Sequence, residues 1–161
     1  MASEKRVAQR RRNGASTLDE TDARLLRLLE DNARLSLADL ARTVSLSPQS
    51  VSERLKRLED MGVLTGYTVR LDPRALGLSV AAYIQVRPMM GELPRVVTLI
   101  QDCPEVVECD RITGEDCFIA KVYVERVEDL ERIIDRLIPY AQTNTAVVQS
   151  SPVARRTPGY G

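Results

Sequence analysis

One short stretch of the sequence contains polar side chains of the types that contact nucleic acids. The stretch is "SLSPQSVSERLKRLEDMG", residues 45–62. Glutamine and serine can bond to base edges in a major groove, whereas lysine and arginine reach phosphate or guanine. The same residue types are common on any solvated helix, so the pattern alone also fits an ordinary surface. The candidate DNA contacts are Ser47, Gln49, Ser50, Ser52, Arg54, Lys56 and Arg57.

A helix over residues 48–61 is needed to present these groups on one face. An apolar stripe recurs at helical spacing opposite them, and it consists of Val51, Leu55 and Leu58. Ser47 is placed to cap this helix, and Pro48 fits its first turn because it has no N–H to leave unpaired. Gly62 is typical of a left-handed C-terminal cap.

The residues before this helix predict two shorter helices. The first has Asp19 or Thr17 as its cap, with Glu20 and Asp22 in the first turn, where the helix dipole favours anions. The second begins after Ser36. After the third helix, "VLTGYTVRLD" has β-branched residues around a turn and predicts a small hairpin. Three helices and a hairpin fit a winged helix-turn-helix over residues 17–71.

The second half of the chain changes its apolar period. Strand and helix patterns follow one another as βαββαβ over residues 79–151, which predicts a ferredoxin-like domain with four antiparallel strands. Residues 72–78 are rich in turn formers and are predicted to be the linker. Residues 1–16 are predicted to be a disordered basic arm, and residues 152–161 a polar tail. The predicted fold class is therefore α+β.

Composition and charge limit the kinds of function that are expected. Histidine is absent, which excludes a Ser/Cys–His nucleophile and a histidine-ligated metal site. The three cysteines form no CxxC pair, and no segment has the apolar length of a membrane span. We therefore expect a cytoplasmic protein without catalytic residues, metal or cofactor. The formal net charge is zero, but it hides a basic N-terminal arm and an acidic second half.

Residues 18–77 resemble the Lrp/AsnC family, the leucine-responsive or feast/famine transcription regulators. The resemblance lies in "LDETD" at the start, "ARLS" before the second helix, "LSPQSVSERLKRLEDMG" and the closing "LDPRALG". The second half is also similar, in "PEVVECDRITGEDCFIAKV". The resemblance implies a DNA-binding domain followed by an effector-binding and assembly domain.

The family resemblance also implies where a small effector, often an amino acid, binds. Relatives bind it where the second domains of neighbouring dimers meet, at a glycine loop and the start of the last strand. The matching residues here are Gly114, Glu115, Asp116, Cys117, Thr143 and Thr145. Many relatives read Gly-x-Tyr-Asp in this loop, so this chain departs from the pattern at Asp116 and Cys117.

The predicted function is a sequence-specific DNA-binding regulator whose assembly and DNA affinity respond to a small effector. We expect homodimers that assemble to tetramers or octamers and bind double-stranded DNA. Two alternatives remain at this point: a haem-pathway decarboxylase of the same two-domain layout, and an effector-binding assembly protein without DNA binding.

Overall fold

The computed structural model describes residues 18–160, which form two compact units. The helical unit comprises residues 18–69 together with 156–160, and the sheet unit comprises residues 70–155. The predicted basic arm lies outside the described residues, as do Thr17 and Gly161. No helix in the described part of the chain combines the length and apolar character needed to cross a membrane.

Three helices form the helical unit: α1 (Glu20–Asp31), α2 (Leu37–Val44) and α3 (Pro48–Asp60). Serine hydroxyls cap two of them as predicted. Ser36 Oγ accepts a hydrogen bond from the Asp39 N–H at 3.1 Å, and Ser47 Oγ accepts one from the Ser50 N–H at 3.1 Å. Each cap satisfies a backbone donor that has no partner within the helix.

The three helices enclose a small core of leucine, valine and alanine. The apolar stripe predicted for α3 is confirmed, because Val51, Leu55 and Leu58 are all buried. Removing such side chains from water is worth roughly 1.5–3 kcal/mol each. The buried members of this core are Leu25, Leu26, Leu29, Leu40, Ala41, Val51, Leu55 and Leu58.

One charged side chain, Asp22, is buried together with this apolar core. It is 0% exposed, and its backbone N–H donates to Asp19 Oδ1 at 2.8 Å while the Asp19 N–H donates back to its carboxylate. This reciprocal pair is a capping box at the start of α1. Two arginines of α3 complete the surroundings: Arg54 Nη1 donates to Asp22 Oδ1 at 2.9 Å, and Arg57 donates to Asp22 Oδ2.

Arg54 also bridges to the cap residue of α1. Its Nη1 lies 2.6 Å from Asp19 Oδ2, and this hydrogen bond is the main reason that the pKa of Asp19 lies below its usual range. The same bond raises the pKa of Arg54. We call Asp19, Asp22, Arg54 and Arg57 the α1–α3 charge cluster. It attaches the third helix to the first, because both Asp22 oxygens accept from α3.

The segment after α3 differs from the predicted hairpin. The backbone N–H groups of Val63 and Leu64 both donate to the Leu58 carbonyl, at 3.0 and 3.1 Å. They close the end of α3, with Gly62 at φ 72° in the expected left-handed conformation, and are therefore not available for strand pairing. Residues 65–72, all described, contain no strand. Tyr67, Val69 and Leu71 are exposed in this extended segment.

The sheet unit has the predicted βαββαβ order. Its elements are β1 (Val80–Pro88), α4 (Leu93–Gln101), β2 (Val106–Arg111), β3 (Phe118–Val124), α5 (Asp129–Leu137) and β4 (Ala141–Val147). The strands lie in the order β2-β3-β1-β4, and every neighbouring pair is antiparallel. This is the ferredoxin-like arrangement.

Helices α4 and α5 supply the buried side chains that pack against the sheet. Val96, Ile100, Ile133 and Leu137 from the helices share a core with Ile84 and other inward strand residues. Alternate strand residues point to the opposite face, which we call the open face, because side chains alternate along a strand. Gln85 and Asn144 meet there through a 3.2 Å hydrogen bond.

Replacing Asp22 with alanine tests whether the charge cluster holds α3 in place. Since the variant loses hydrogen bonds to two charged groups, we expect the free energy of unfolding of the helical unit to fall by about 1–3 kcal/mol. Urea unfolding followed by circular dichroism measures it. The exposed Asp60→Ala change, in the last turn of α3, is the matched control and should leave stability within about 0.5 kcal/mol. Equal midpoints for the two variants would contradict this role of Asp22.

Candidate nucleic-acid interface and effector site

The outward face of α3 presents fewer of the predicted contacts to solvent than the sequence pattern indicated. Gln49, Ser52 and Lys56 are exposed, whereas Ser50 is half-buried. Glu53, also exposed, lies among them. A stripe of amide, hydroxyl, carboxylate and ammonium groups is therefore available for contact with a partner.

Arg54 and Arg57 lie on the side of α3 that faces α1. Their side chains are 30% and 41% exposed, and each has at least one guanidinium nitrogen on Asp22. The charge cluster therefore contains two arginines and two aspartates. The positive charges of the arginines are neutralised by carboxylates of the same helical unit. Spacing along α3 did not reveal this, because the partner residues come from the start of α1.

A different signal in the sequence does point to Asp22. It stands three, four and seven residues before Leu25, Leu26 and Leu29, which places it on the apolar face of α1. A carboxylate at a core-facing position needs a charged or hydrogen-bonding partner, since burying it alone is costly. Basic residues on a neighbouring helix are the natural partners.

Hydrogen bonds within the first turn of α3 already involve three of the predicted contacts. Gln49 Nε2 donates to Glu53 Oε1 at 3.2 Å, so Glu53 orients the amide in the free protein. The Ser47 and Ser50 hydroxyls lie 2.9 Å apart, and the Ser47 oxygen also caps the helix. Lys56 forms no side-chain hydrogen bond or ion pair with the described residues. Its ammonium group is therefore available for a phosphate.

The second candidate site is the loop between β2 and β3. Gly114 has φ 119°, a conformation that favours glycine because a side chain there would be strained. The Cys117 N–H donates to the Val86 carbonyl at 3.0 Å, and the Ile112 N–H donates to the Cys117 carbonyl at 2.9 Å. The first bond attaches the loop to the end of β1, and the second closes the loop on itself.

An arginine that the sequence reasoning did not select lies against this loop. Arg87 Nη2 contacts Glu115 Oε2 at 2.5 Å, and its Nε lies 3.6 Å from Asp116 Oδ1. The hydrogen bond to Glu115 is the main cause of the raised pKa of Arg87. The buried Nε has no hydrogen-bond partner within the described residues. The loop therefore combines one cation and two carboxylates at the end of β1.

Thr143 and Thr145 lie on β4, across β1 from the loop. Thr143 is paired with Val86 and Thr145 with Ile84, and directly paired residues point to the same face of a sheet. The two threonines are therefore half-buried on the helix-covered face, while Arg87 is on the opposite face. Of the predicted loop residues, Cys117 packs against the core of the sheet unit.

One small cavity lies in the core of the sheet unit. Its volume is about 10 Å³, and it is lined by Ile84, Ile100, Cys103 and other residues. That volume is near the size of one water molecule, and none of the predicted effector residues lines it. The loop and its arginine form an open, charged surface.

Neither metal binding nor reactive thiols is indicated by the described residues. The part of the chain between residues 18 and 160 contains no group of three or more side chains that could hold a metal ion. Burial raises the pKa of the Cys103 thiol and of the Cys109 thiol, and a raised pKa lowers the thiolate fraction on which reactivity depends.

Comparisons with known proteins match both halves of the chain. Residues 18–65 match a family model described as winged helix-turn-helix DNA-binding, and residues 81–158 match one described as the Lrp/AsnC ligand binding domain. The transcriptional regulator LrpC of Bacillus subtilis is 36% identical over 133 residues, covering 83% of this chain and 92% of the relative. The transcriptional activator DecR of Escherichia coli is 35% identical over 124 residues, covering 75% and 82%.

Solved structures agree with the sequence matches. The B. subtilis LrpC structure has a TM-score of 0.82 at 34% identity, covering 86% of this chain and 99% of that one. A transcriptional regulator from Neisseria meningitidis in complex with L-Met has a TM-score of 0.78 at 27% identity, covering 86% and 94%. These relatives are named as regulators of transcription, and this chain belongs to the Lrp/AsnC family of transcriptional regulators.

Proposed function

We propose that this regulator binds its DNA through the exposed stripe of α3, with Gln49 and Ser52 towards bases and Lys56 towards phosphate. The observation that carries this proposal is that α3 has two different polar faces, one paired with α1 and one exposed to solvent. Arg54 and Arg57 are held by Asp22, whereas Gln49, Ser52 and Lys56 are exposed. Amide groups suit adenine edges, and an ammonium group suits phosphate.

Because Arg54 and Arg57 are paired with aspartates, α3 has less positive charge available for DNA phosphates than its sequence indicates. The exposed charged side chains of α3 are Glu53, Lys56, Glu59 and Asp60, so this helix offers one free cation among acids. A base-reading role fits such a helix better than a general phosphate-binding role, because phosphate contacts require positive charge. Glu53 can accept a hydrogen bond from cytosine N4. Alternatively, the bond between Gln49 and Glu53 can break on binding, so that the Gln49 amide contacts a base.

Paired substitutions on α3 test the stripe. Lys56→Ala should weaken binding to an operator selected from random DNA and lower the slope of log affinity against log salt by about one. Gln49→Ala should change base preference at one position, by about 1–3 kcal/mol, and leave the salt slope unchanged. Electrophoretic mobility shifts over a salt series measure both effects.

Arg132→Ala, an exposed arginine of α5 in the sheet unit, is the control for loss of one positive charge. Its salt slope should equal that of the unmodified protein. If Lys56→Ala and Arg132→Ala bind DNA equally well at every salt concentration, α3 does not contact DNA through this stripe.

The effector proposed for the sheet unit is an amino acid held at the Gly114 loop. An amino acid carries an ammonium and a carboxylate, and the loop offers Glu115 and Asp116 beside Arg87. Oppositely charged groups can therefore receive both ends of the ligand through charge-assisted hydrogen bonds. The L-Met complex of the N. meningitidis relative supports this ligand class. Thr143 and Thr145 face the helix-covered side of the sheet, opposite Arg87, and their contact with the effector stays a prediction from the sequence.

A thermal-shift screen of the twenty amino acids tests this site. A ligand present at 100 times its dissociation constant stabilises the native state by about 2.7 kcal/mol, so a binder should raise the Tm. Asp116→Ala should lose most of that rise. Glu125→Ala, an exposed acid after β3, is the matched control and should keep it. A full rise in Asp116→Ala would exclude Asp116, and no rise with any amino acid would contradict the ligand class.

We further propose that the open face of the sheet forms a homodimer interface and that dimers assemble to tetramers or octamers. Lys121 Nζ lies 5.6 Å from the centre of the Tyr83 ring and 5.5 Å from that of Tyr123 on this face. Aromatic rings with a polar edge are enriched at interfaces, and Tyr83 is 40% exposed in the single chain.

Tyr83→Asp tests the dimer interface. A carboxylate at the centre of an apolar contact is costly to desolvate, so sedimentation velocity should show monomers at concentrations where the unmodified protein is oligomeric. Val127→Asp, at an apolar residue that is 54% exposed between β3 and α5, should remain oligomeric. An unchanged sedimentation coefficient for Tyr83→Asp would place the interface elsewhere.

These proposals together describe a cytoplasmic regulator without an enzymatic activity of its own. Its relatives are named as regulators and activators of transcription. Neither the decarboxylase nor the assembly-protein alternative has a supporting observation among these relatives or in the geometry of the two sites.

A further inference from the structure

The last described residues of the chain belong to the helical unit rather than to the sheet unit from which they emerge. The chain leaves the helical unit after Val69 and rejoins it at Arg156. Residues 149–159 are exposed along the way, whereas Tyr160 is half-buried. The ring of Tyr160 packs against the leucine core of the helical unit. Val153, an apolar residue earlier in the tail, is 65% exposed.

The hydroxyl of Tyr160 bonds to one carboxylate on α1, that of Glu30. Tyr160 Oη donates to Glu30 Oε2 at 2.5 Å. The hydrogen bond from the Thr157 side chain, followed by that from Tyr160, lowers the pKa of Glu30. Burial, and then the bond to Glu30, raises the pKa of Tyr160 to about 12. At neutral pH the donor therefore keeps its proton and the acceptor its charge, which gives a charge-assisted bond.

We propose that the face of α1 carrying Glu30 is a docking surface for the C-terminal segment of this same chain, with Tyr160 as its anchor. The occupant is Arg156–Tyr160, the segment that the structure places there. An aromatic ring with a polar tip suits this surface, because the ring covers leucine side chains while the hydroxyl reaches the carboxylate. The other residues of the segment are exposed and connect the anchor to the sheet unit.

Docking gives the helical unit a second connection along the chain to the sheet unit. One connection is the linker that follows Val69, and the other is the tail that follows β4. The tail continues from the strand that carries Thr143 and Thr145, and α1 carries the Asp22 that holds α3. Any role of the tail in the response to an effector rests on the proposed effector site. The docking of the tail on α1 does not depend on that site.

Trypsin digestion of the full-length protein tests the docking without DNA or effector. Cleavage after Arg156 requires the docked segment to open, and its rate follows the population of the open state when opening is fast. Losing a hydrogen bond to a charged group raises that population by about ten-fold. We expect Tyr160→Phe, which loses only this bond, to release the C-terminal peptide about ten-fold faster. Tyr160→Ala also loses the packed ring and should release it faster still, and Glu30→Gln should show a smaller increase. Mass spectrometry of the released peptide measures the rates.

Val153→Ala is the control, because it changes an exposed tail residue outside the docked segment. It should digest at the unmodified rate. Hydrogen exchange at the last turn of α1, residues 28–31, provides the second measurement, and Tyr160→Ala should exchange faster there than Val153→Ala. Equal cleavage rates and equal exchange in Tyr160→Ala, Glu30→Gln and the control would overturn the proposal. Both readouts are independent of DNA binding, so failure of the proposed function would leave them unaffected.

Discussion

The buried carboxylate of Asp22 is the constraint on which the helical unit depends. A fully buried charge must be paired and hydrogen-bonded, or its desolvation destabilises the fold. Here the partners are Arg54 and Arg57, one turn apart on α3. The requirement fixes the rotation of α3 about its own axis, because both arginines must face α1. That rotation in turn decides that Gln49, Ser52 and Lys56 face outward.

This arrangement explains how a chain without net charge can belong to a family of DNA-binding regulators. Two of the three basic residues on α3 act within the protein, and the remaining one, Lys56, is free among acidic neighbours. In the DNA contact that we propose for α3, specificity depends on a few hydrogen-bonding groups more than on attraction to phosphate. The sheet unit uses charge in the same local way, since Arg87 faces two carboxylates at one end of β1. Local pairing, and not total charge, determines what each surface can bind.

Much of the fold could be predicted from the sequence because its signals are local. Serine caps, the proline at the start of α3 and the apolar stripe through Leu58 act within a few residues of one another. The βαββαβ order followed from alternating patterns in the same way. Contacts between distant residues were not predictable: the Asp22 partners lie 32 and 35 residues away, and Tyr160 bonds to a residue 130 positions before it. The predicted hairpin failed because the end of α3 uses the N–H groups of residues 63 and 64.

A crystal structure of the protein bound to a selected operator would show whether Asp22 keeps both arginines when α3 contacts DNA. The quantity to measure is the distance from each guanidinium of Arg54 and Arg57 to the Asp22 carboxylate in the bound state. We expect both guanidinium groups to remain within hydrogen-bond distance of the carboxylate, while Gln49 and Lys56 contact base edges and phosphate. If Arg57 instead leaves Asp22 and contacts the DNA, while Gln49 and Lys56 remain in solvent, the assignment of structural and reading roles on α3 is wrong.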